Sequence, residues 1–188
     1  QENSDDLDGW DRLIVLETIP PFEDYETAAK FAKSALNYHK GNWLYFVLLL
    51  FFTRWYLGGL SEELVKKAKE VKNKSNKEIS SMISYILAWH EKDEDMNRFK
   101  QLLHQAIQEY PNNVSYYADL GKQYLAEGEK ELGKQLIQKA LMNVQLIYYN
   151  DSDIEYDPLD IEHFVNERIT GVFITEDSYN TLKDLLHE

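Results

Sequence analysis

Cysteine is absent from the 188 residues, which removes disulfides, zinc–thiolate centres and cysteine nucleophiles from consideration. A reducing, cytoplasmic setting is the expectation. The chain starts at Gln1 with acidic residues, where a signal peptide would be basic and then apolar, so a signal removed upstream stays open. No glycine-rich phosphate loop occurs, and Gly58-Gly59 reads as a helix stop. Serine and aspartate are plentiful, yet none is ordered into a nucleophile elbow. His39, His90, His104, His163 and His187 show no metal-ligand spacing, and "WHEKDED" lacks the second histidine that a helix-borne zinc site needs one turn on. Without a catalytic constellation, the expectation is a protein that is not an enzyme and needs no cofactor and no metal.

A long hydrophobic run is also missing. The longest, Trp43 to Phe52, has ten residues before Thr53 and Arg54 interrupt it, against about 20 for a helix that spans a bilayer. The run reads as the second helix of an antiparallel pair, apolar all round because neighbours cover both faces. A soluble chain with no membrane partner follows. The 44% apolar and 13% aromatic content argues for a packed core, and the length suits one domain over residues 1–188.

Basic charge is scarce at both ends. The formal net charge is −13, with −7 over residues 1–24, −9 over residues 150–188 and +3 between them. Such ends repel nucleic acid and anionic lipid and would steer in a cationic protein. The lysine-rich "VKKAKEVKNKSNK" lacks arginines and interleaved aromatics, so it reads as a solvated helix face and no nucleic-acid partner is expected. Two acidic stretches come close to calcium loops. In "DSDIEYDPLDIE", Asp151, Asp153, Glu155, Asp157 and Glu162 fit loop positions, but Tyr156 stands where glycine must turn the chain and Pro158 follows. In "SDDLDGWDRLIV", Asp6, Asp8 and Gly9 fit, but Ser4 and Val15 hold the end positions. Both read as solvated linkers.

What remains is helix after helix. Pro20 and Pro21 end an N-terminal segment that runs to residue 24, and "YETAAKFAKSALNYH" follows at helical spacing. Gly41-Asn42, Gly58-Gly59, "NKSN", Asp93 to Asp95, Pro111 and Gly128 punctuate the rest. Ser61 before two glutamates is an N-cap pattern.

Helix pairs joined by short turns invite a search for a period. A 34-residue frame from Val114 puts Tyr117, Leu120, Gly121, Tyr124, Gly133, Ile137 and Ala140 at positions 4, 7, 8, 11, 20, 24 and 27. One frame earlier, from Ser80, Leu103, Ala106 and Pro111 take positions 24, 27 and 32. This pattern resembles the tetratricopeptide repeat over residues 80–147, with a fainter echo over 43–79 carried by Tyr56, Ala68 and Val71. Departures are Tyr85 and Ile86 for the Leu-Gly pair, His90 for a tyrosine, Phe99 for a small residue and Gln145 for the proline. Small residues let two helices cross closely, and Gly121, Gly133 and Ala140 supply them. The resemblance implies an all-α fold, antiparallel helix pairs stacked as a short solenoid over residues 25–147.

It also implies a groove for a peptide or partner protein. Its inward positions fall on Ser81, Ser84, Ala88, Glu91 and Lys92, and on Ser115, Ala118, Lys122, Leu125 and Ala126. The set is small and mildly polar, with Lys92 and Lys122 available to a carboxylate. Residues 148–188 differ in kind: a short helix, an apolar "GVFI" that suits a strand, and a last helix capped by Thr175 form an acidic C-terminal cap. Two functions follow from the residues. One is a non-catalytic interaction module that binds a peptide or protein on its helical surface. The alternative is an acidic inhibitor or immunity protein that masks a cationic toxin or nuclease. Choosing between groove and acidic ends, naming the partner and fixing the oligomeric state lie beyond the sequence.

Overall fold

The breaks read from the sequence become helix ends. The computed structural model describes residues 7–146, 157 and 159–187. Among them run α1 (Leu7–Leu16), α2 (Tyr25–Tyr38), α3 (Trp43–Tyr56), α4 (Glu62–Lys72), α5 (Lys77–Glu91), α6 (Met96–Glu109), α7 (Val114–Ala126) and α8 (Lys130–Met142). Strand β1 (Gln145–Leu146), α9 (Ile161–Arg168), β2 (Phe173–Ile174) and α10 (Glu176–Asp184) complete the order. Side-chain oxygens of Asp24, Asn42, Ser61, Asn76, Asp95 and Asn113 accept from the first free amides of α2 to α7. Each such cap is worth about 1 kcal/mol.

The chain is all-α, and its neighbouring helices pack in pairs as a helical repeat. The closely packed pairs are α2–α3, α5–α6 and α7–α8, and α4 lies against α5. The fainter repeat echo over 43–79 therefore spans α3, which pairs backwards with α2, and α4, which serves the next pair. Helix α3 is the apolar run, and Tyr45, Phe46, Val47, Leu48, Leu50, Phe51 and Phe52 are all buried. At 1.5 Å per residue its 14 residues reach about 21 Å, short of a hydrocarbon core of about 30 Å. No helix among the described residues is long and apolar enough to cross a membrane. Burying each large apolar side chain contributes roughly 1.5–3 kcal/mol, so α3 anchors the core. The two residues that interrupt the run have work there: Thr53 bonds the Leu49 carbonyl at 2.7 Å, and the Arg54 guanidinium donates to the Trp89 carbonyl in the last turn of α5.

Rings link the helices sideways. Trp55 of α3 meets Tyr85 and Trp89 of α5 at 6.2 and 6.3 Å, and Tyr85 meets Tyr116 of α7 at 5.1 Å. Between α7 and α8 the backbones close up. The place a Cβ would take on Gly133 lies 3.0 Å from the Gly121 carbonyl and 2.6 Å from Leu125 Cγ. Gly121 is hemmed in reciprocally by Ile137 and the Gly133 carbonyl.

The C-terminal cap does more than close one end. Phe164 of α9 packs on Phe51 and Phe52 at 6.0 and 5.9 Å, and α9 also lies on α1. From there residues 169–172 pass the start of α7, where the Thr170 carbonyl accepts from the Ser115 amide at 2.9 Å. That amide is one of the four that an α-helix leaves unpaired at its N-terminus. Gly171, at φ +64°, presses on Ser115, whose hydroxyl occupies the space a Cβ would need. Strand β2 then pairs in parallel with β1, Gln145 opposite Phe173 and Leu146 opposite Ile174. Helix α10 ends against α8, with Lys134 Nζ donating to the Leu186 carbonyl at 2.8 Å.

At an open helix site, replacing glycine by alanine gains roughly 1 kcal/mol. Overpacking of a close crossing should reverse that sign for Gly133→Ala, with a net loss of about 1–2 kcal/mol in chemical denaturation. Equal or higher stability of the variant would show that the α7–α8 crossing is not limited by this contact.

Candidate functional site

The ten positions expected to face a groove divide by burial. Ser81, Ser84 and Ala88 are fully buried in α5. Ser81 Oγ bonds the Glu78 carbonyl at 2.7 Å and the Tyr116 hydroxyl at 3.0 Å. Ser84 Oγ turns to the Ser80 carbonyl and to Glu109, at 2.9 and 3.3 Å. Helix α5 has α3, α6 and α7 around it, which leaves these serines no solvent. Glu91 is half-buried at the end of the helix, and the Lys92 ammonium lies 4.0 Å from the centre of the Trp89 ring. On α7, Leu125 is spent on the crossing with Gly133, and Ala126 is exposed. Ser115, Ala118 and Lys122 are the three that line an open space.

That space is a cleft of about 300 Å³ between α5, α7 and the C-terminal cap. One wall carries Tyr85, Ser115, Ala118, Asp119 and Lys122, and the other carries Glu167, Gly171, Ile174, Ser178, Thr181 and Leu182. The cap thus supplies half of the cleft. On the far side of residues 170–172 a second cavity of about 400 Å³ is rich in amides, with Asn112, Asn143, Gln145 and Asn166 around it.

Asp119 is the charged group most firmly held in the cleft. Its Oδ2 accepts from the Tyr85 hydroxyl at 2.8 Å and from the Trp89 indole Nε1 at 3.1 Å. Burial pushes this carboxyl above the usual aspartate range, although both hydrogen bonds and the nearby Lys122 and Lys92 pull the other way. Burial, with the Asp119 charge beside it, also holds the Tyr85 phenol well above its ordinary value, so Tyr85 remains a donor. Across the cleft, Glu167 keeps company with His163 and Arg168 at 3.6 and 3.5 Å. The arrangement can bind and orient a ligand through two carboxylates, three hydroxyls and an aromatic ring.

A second polar cluster lies inside the repeats. Glu109 accepts from Ser80, Ser84 and Gln105, and Lys72 lies 3.5 Å away. It joins α4, α5 and α6 and opens into neither cavity. Among the described residues no three His, Asp or Glu side chains converge as metal ligands would. Of the two acidic stretches weighed as calcium loops, residues 4–6, 151–156 and 158 lie outside the described residues. Asp157 is described, and it pairs with Arg12 at 2.7 Å.

Asp119, Trp89 and Glu167 were not singled out by the sequence, and Tyr85 stood out only as a departure from the repeat. The available signal was the pair of large aromatics Tyr85 and Trp89, one turn apart on α5, with a single acid in the middle of α7.

An acid whose folded-state pKa lies above its unfolded value adds stability at low pH, and that part is lost as the pH rises through the folded value. Asp119→Asn keeps an acceptor for Tyr85 and Trp89 without the charge. It should therefore raise the melting temperature at pH 7, and the gain should shrink towards pH 4. Thermal unfolding across that range checks it, and a destabilised variant at pH 7 would contradict the burden assigned to this carboxylate.

Comparison with protein-family models, with curated proteins and with solved structures finds no match for this chain.

Proposed function

We propose that the chain is a non-catalytic protein-interaction module built from tetratricopeptide-like helix pairs, and that it holds a segment of a partner protein in the cleft between α7 and the C-terminal cap. The observation that carries this reading is the cleft itself. Ser115, Ala118 and Lys122, expected from the repeat frame to face a ligand, line it together with residues of the cap. The repeat reading is supported by the two frames, which fall on the pairs α5–α6 and α7–α8, and by Gly121 and Gly133 at their crossing. The reading takes the two carboxylates as binding groups, since no three acids or histidines converge as metal ligands would among the described residues.

A second reading, the acidic inhibitor that masks a cationic protein, is favoured by a different observation. Helix α1 packs on α9, and Arg12 reaches Asp157 at 2.7 Å, so the described parts of the two acidic segments touch here. In this reading the ends act as one field that speeds the approach of a basic surface.

Photo-crosslinking in the native cell separates them. With the crosslinking residue at Ser178 or Lys122, on the two walls of the cleft, one discrete adduct is expected; at Gln101, on the exposed face of α6, none is expected. Equal adducts from all three positions, or an adduct from Gln101 alone, would overturn the cleft as the binding face.

A further inference from the structure

We infer that the cleft receives an arginine side chain of a basic partner protein, with Asp119 as its principal acceptor; this rests on the cleft being the binding site. Asp119 Oδ2 is already occupied by Tyr85 and Trp89, which fix the plane of the carboxylate. Oδ1 accepts no hydrogen bond from the described residues and is left for a ligand. A carboxylate held by two donors and not yet paired on its second oxygen suits a donor that is both charged and directional, and a guanidinium is both.

The rest of the lining fits the same guest. Glu167 offers a second carboxylate on the opposite wall, and the hydroxyls of Ser115, Ser178 and Thr181 can accept the remaining N–H groups of the guanidinium fork. The Tyr85 ring contributes an aromatic wall. Among the described lining residues Lys122 is the one cation; it is exposed and can turn out to water, whereas Lys92 is committed to the Trp89 ring. Charge outside the cleft acts in the same direction, because Glu176 and Asp177 open α10 and Asp160 and Glu162 open α9. A partner carboxylate, the guest that Lys92 and Lys122 suggested from sequence, would instead have to approach Asp119 and Glu167.

Groove and acidic end, alternatives in the sequence, are two walls of one cleft here. The basic partner that the acidic ends would attract is also the one whose side chain the cleft can hold.

The test uses the full chain and three labelled peptides of equal length, Gly/Ser-rich with a central pair of arginines, citrullines or glutamates. Citrulline keeps the shape of arginine without its charge. The Trp89 indole N–H signal in a nitrogen-15 NMR spectrum is the local reporter, because that group donates to Asp119. The arginine peptide should shift this signal and the citrulline and glutamate peptides should not. Asp119→Asn should weaken arginine-peptide binding at least tenfold. Ser178→Trp, an exposed position at the cleft, should block it with the melting temperature preserved. Neutralising Glu62 and Glu63 on α4 together should change it less than twofold. An unchanged affinity in Asp119→Asn would overturn the inference and leave only diffuse attraction to an acidic protein, and equal binding of the arginine and citrulline peptides would overturn it by showing that the guest's charge is not read. A free arginine derivative that binds as tightly as the peptide would overturn the protein-partner part of it. A cleft that crosslinks to a partner segment without basic residues would also overturn it, and the binding reading above would stand.

Discussion

Asp119 is held by Tyr85 and Trp89 in the α5–α7 seam, whose other contacts are rings and the buried Ser81–Tyr116 hydrogen bond. A carboxylate half-removed from water is costly unless donors meet it. Two of the larger side chains of α5 are committed to doing so, which ties α5 to α7 at the point where their rings also touch. An uncharged acceptor at 119 would satisfy Tyr85 and Trp89 at lower cost. On the proposed reading, the charge retained there is a site held ready at some expense to stability, a common compromise where binding is the task.

The cap completes what the repeats leave open. Helix pairs that stack must have their last face covered, and here the cover is drawn from the same chain. It is held by Phe164 on Phe51 and Phe52 and, beside that, by backbone contacts: a carbonyl on the first turn of α7, a two-residue parallel ladder and a lysine on the Leu186 carbonyl. Gly171 permits the close pass over Ser115 because it has no Cβ and adopts positive φ. The surface ion pair of Arg12 and Asp157 adds little energy on its own, since both side chains are nearly half exposed. Its meaning is positional, for it marks a point where the N-terminal helix and the cap come together.

Local chemistry was legible in the sequence. The Ser61 cap, the breaks at "NKSN" and Asp93 to Asp95, the stop at Gly58-Gly59 and the glycine crossing of α7 on α8 could each be read, because each depends on residues within one turn or one repeat. The strand in "GVFI" and the Thr175 cap were visible for the same reason. What escaped was set by distance along the chain. A 34-residue frame gives the phase of α5 but not which neighbours surround it, so Ser81 and Ser84 looked like groove positions and are interior. The contact of Thr170 with Ser115 joins residues more than fifty positions apart, and no period in the sequence announces it. Asp119 lay outside the inward positions of the repeat and became part of the cleft only when the cap closed over it.

The central claim is that the cap and α7 form one cleft with a fixed opening. Because the chain has no cysteine, spin labels can be placed singly and cleanly by substitution at Lys122 and Asn180. Pulsed electron resonance on that pair should give one narrow distance distribution, which persists when Glu62 and Glu63 are neutralised. A broad distribution, or several populations of comparable weight, would mean that the cap does not hold its place against α7, and the cleft would lose its second wall.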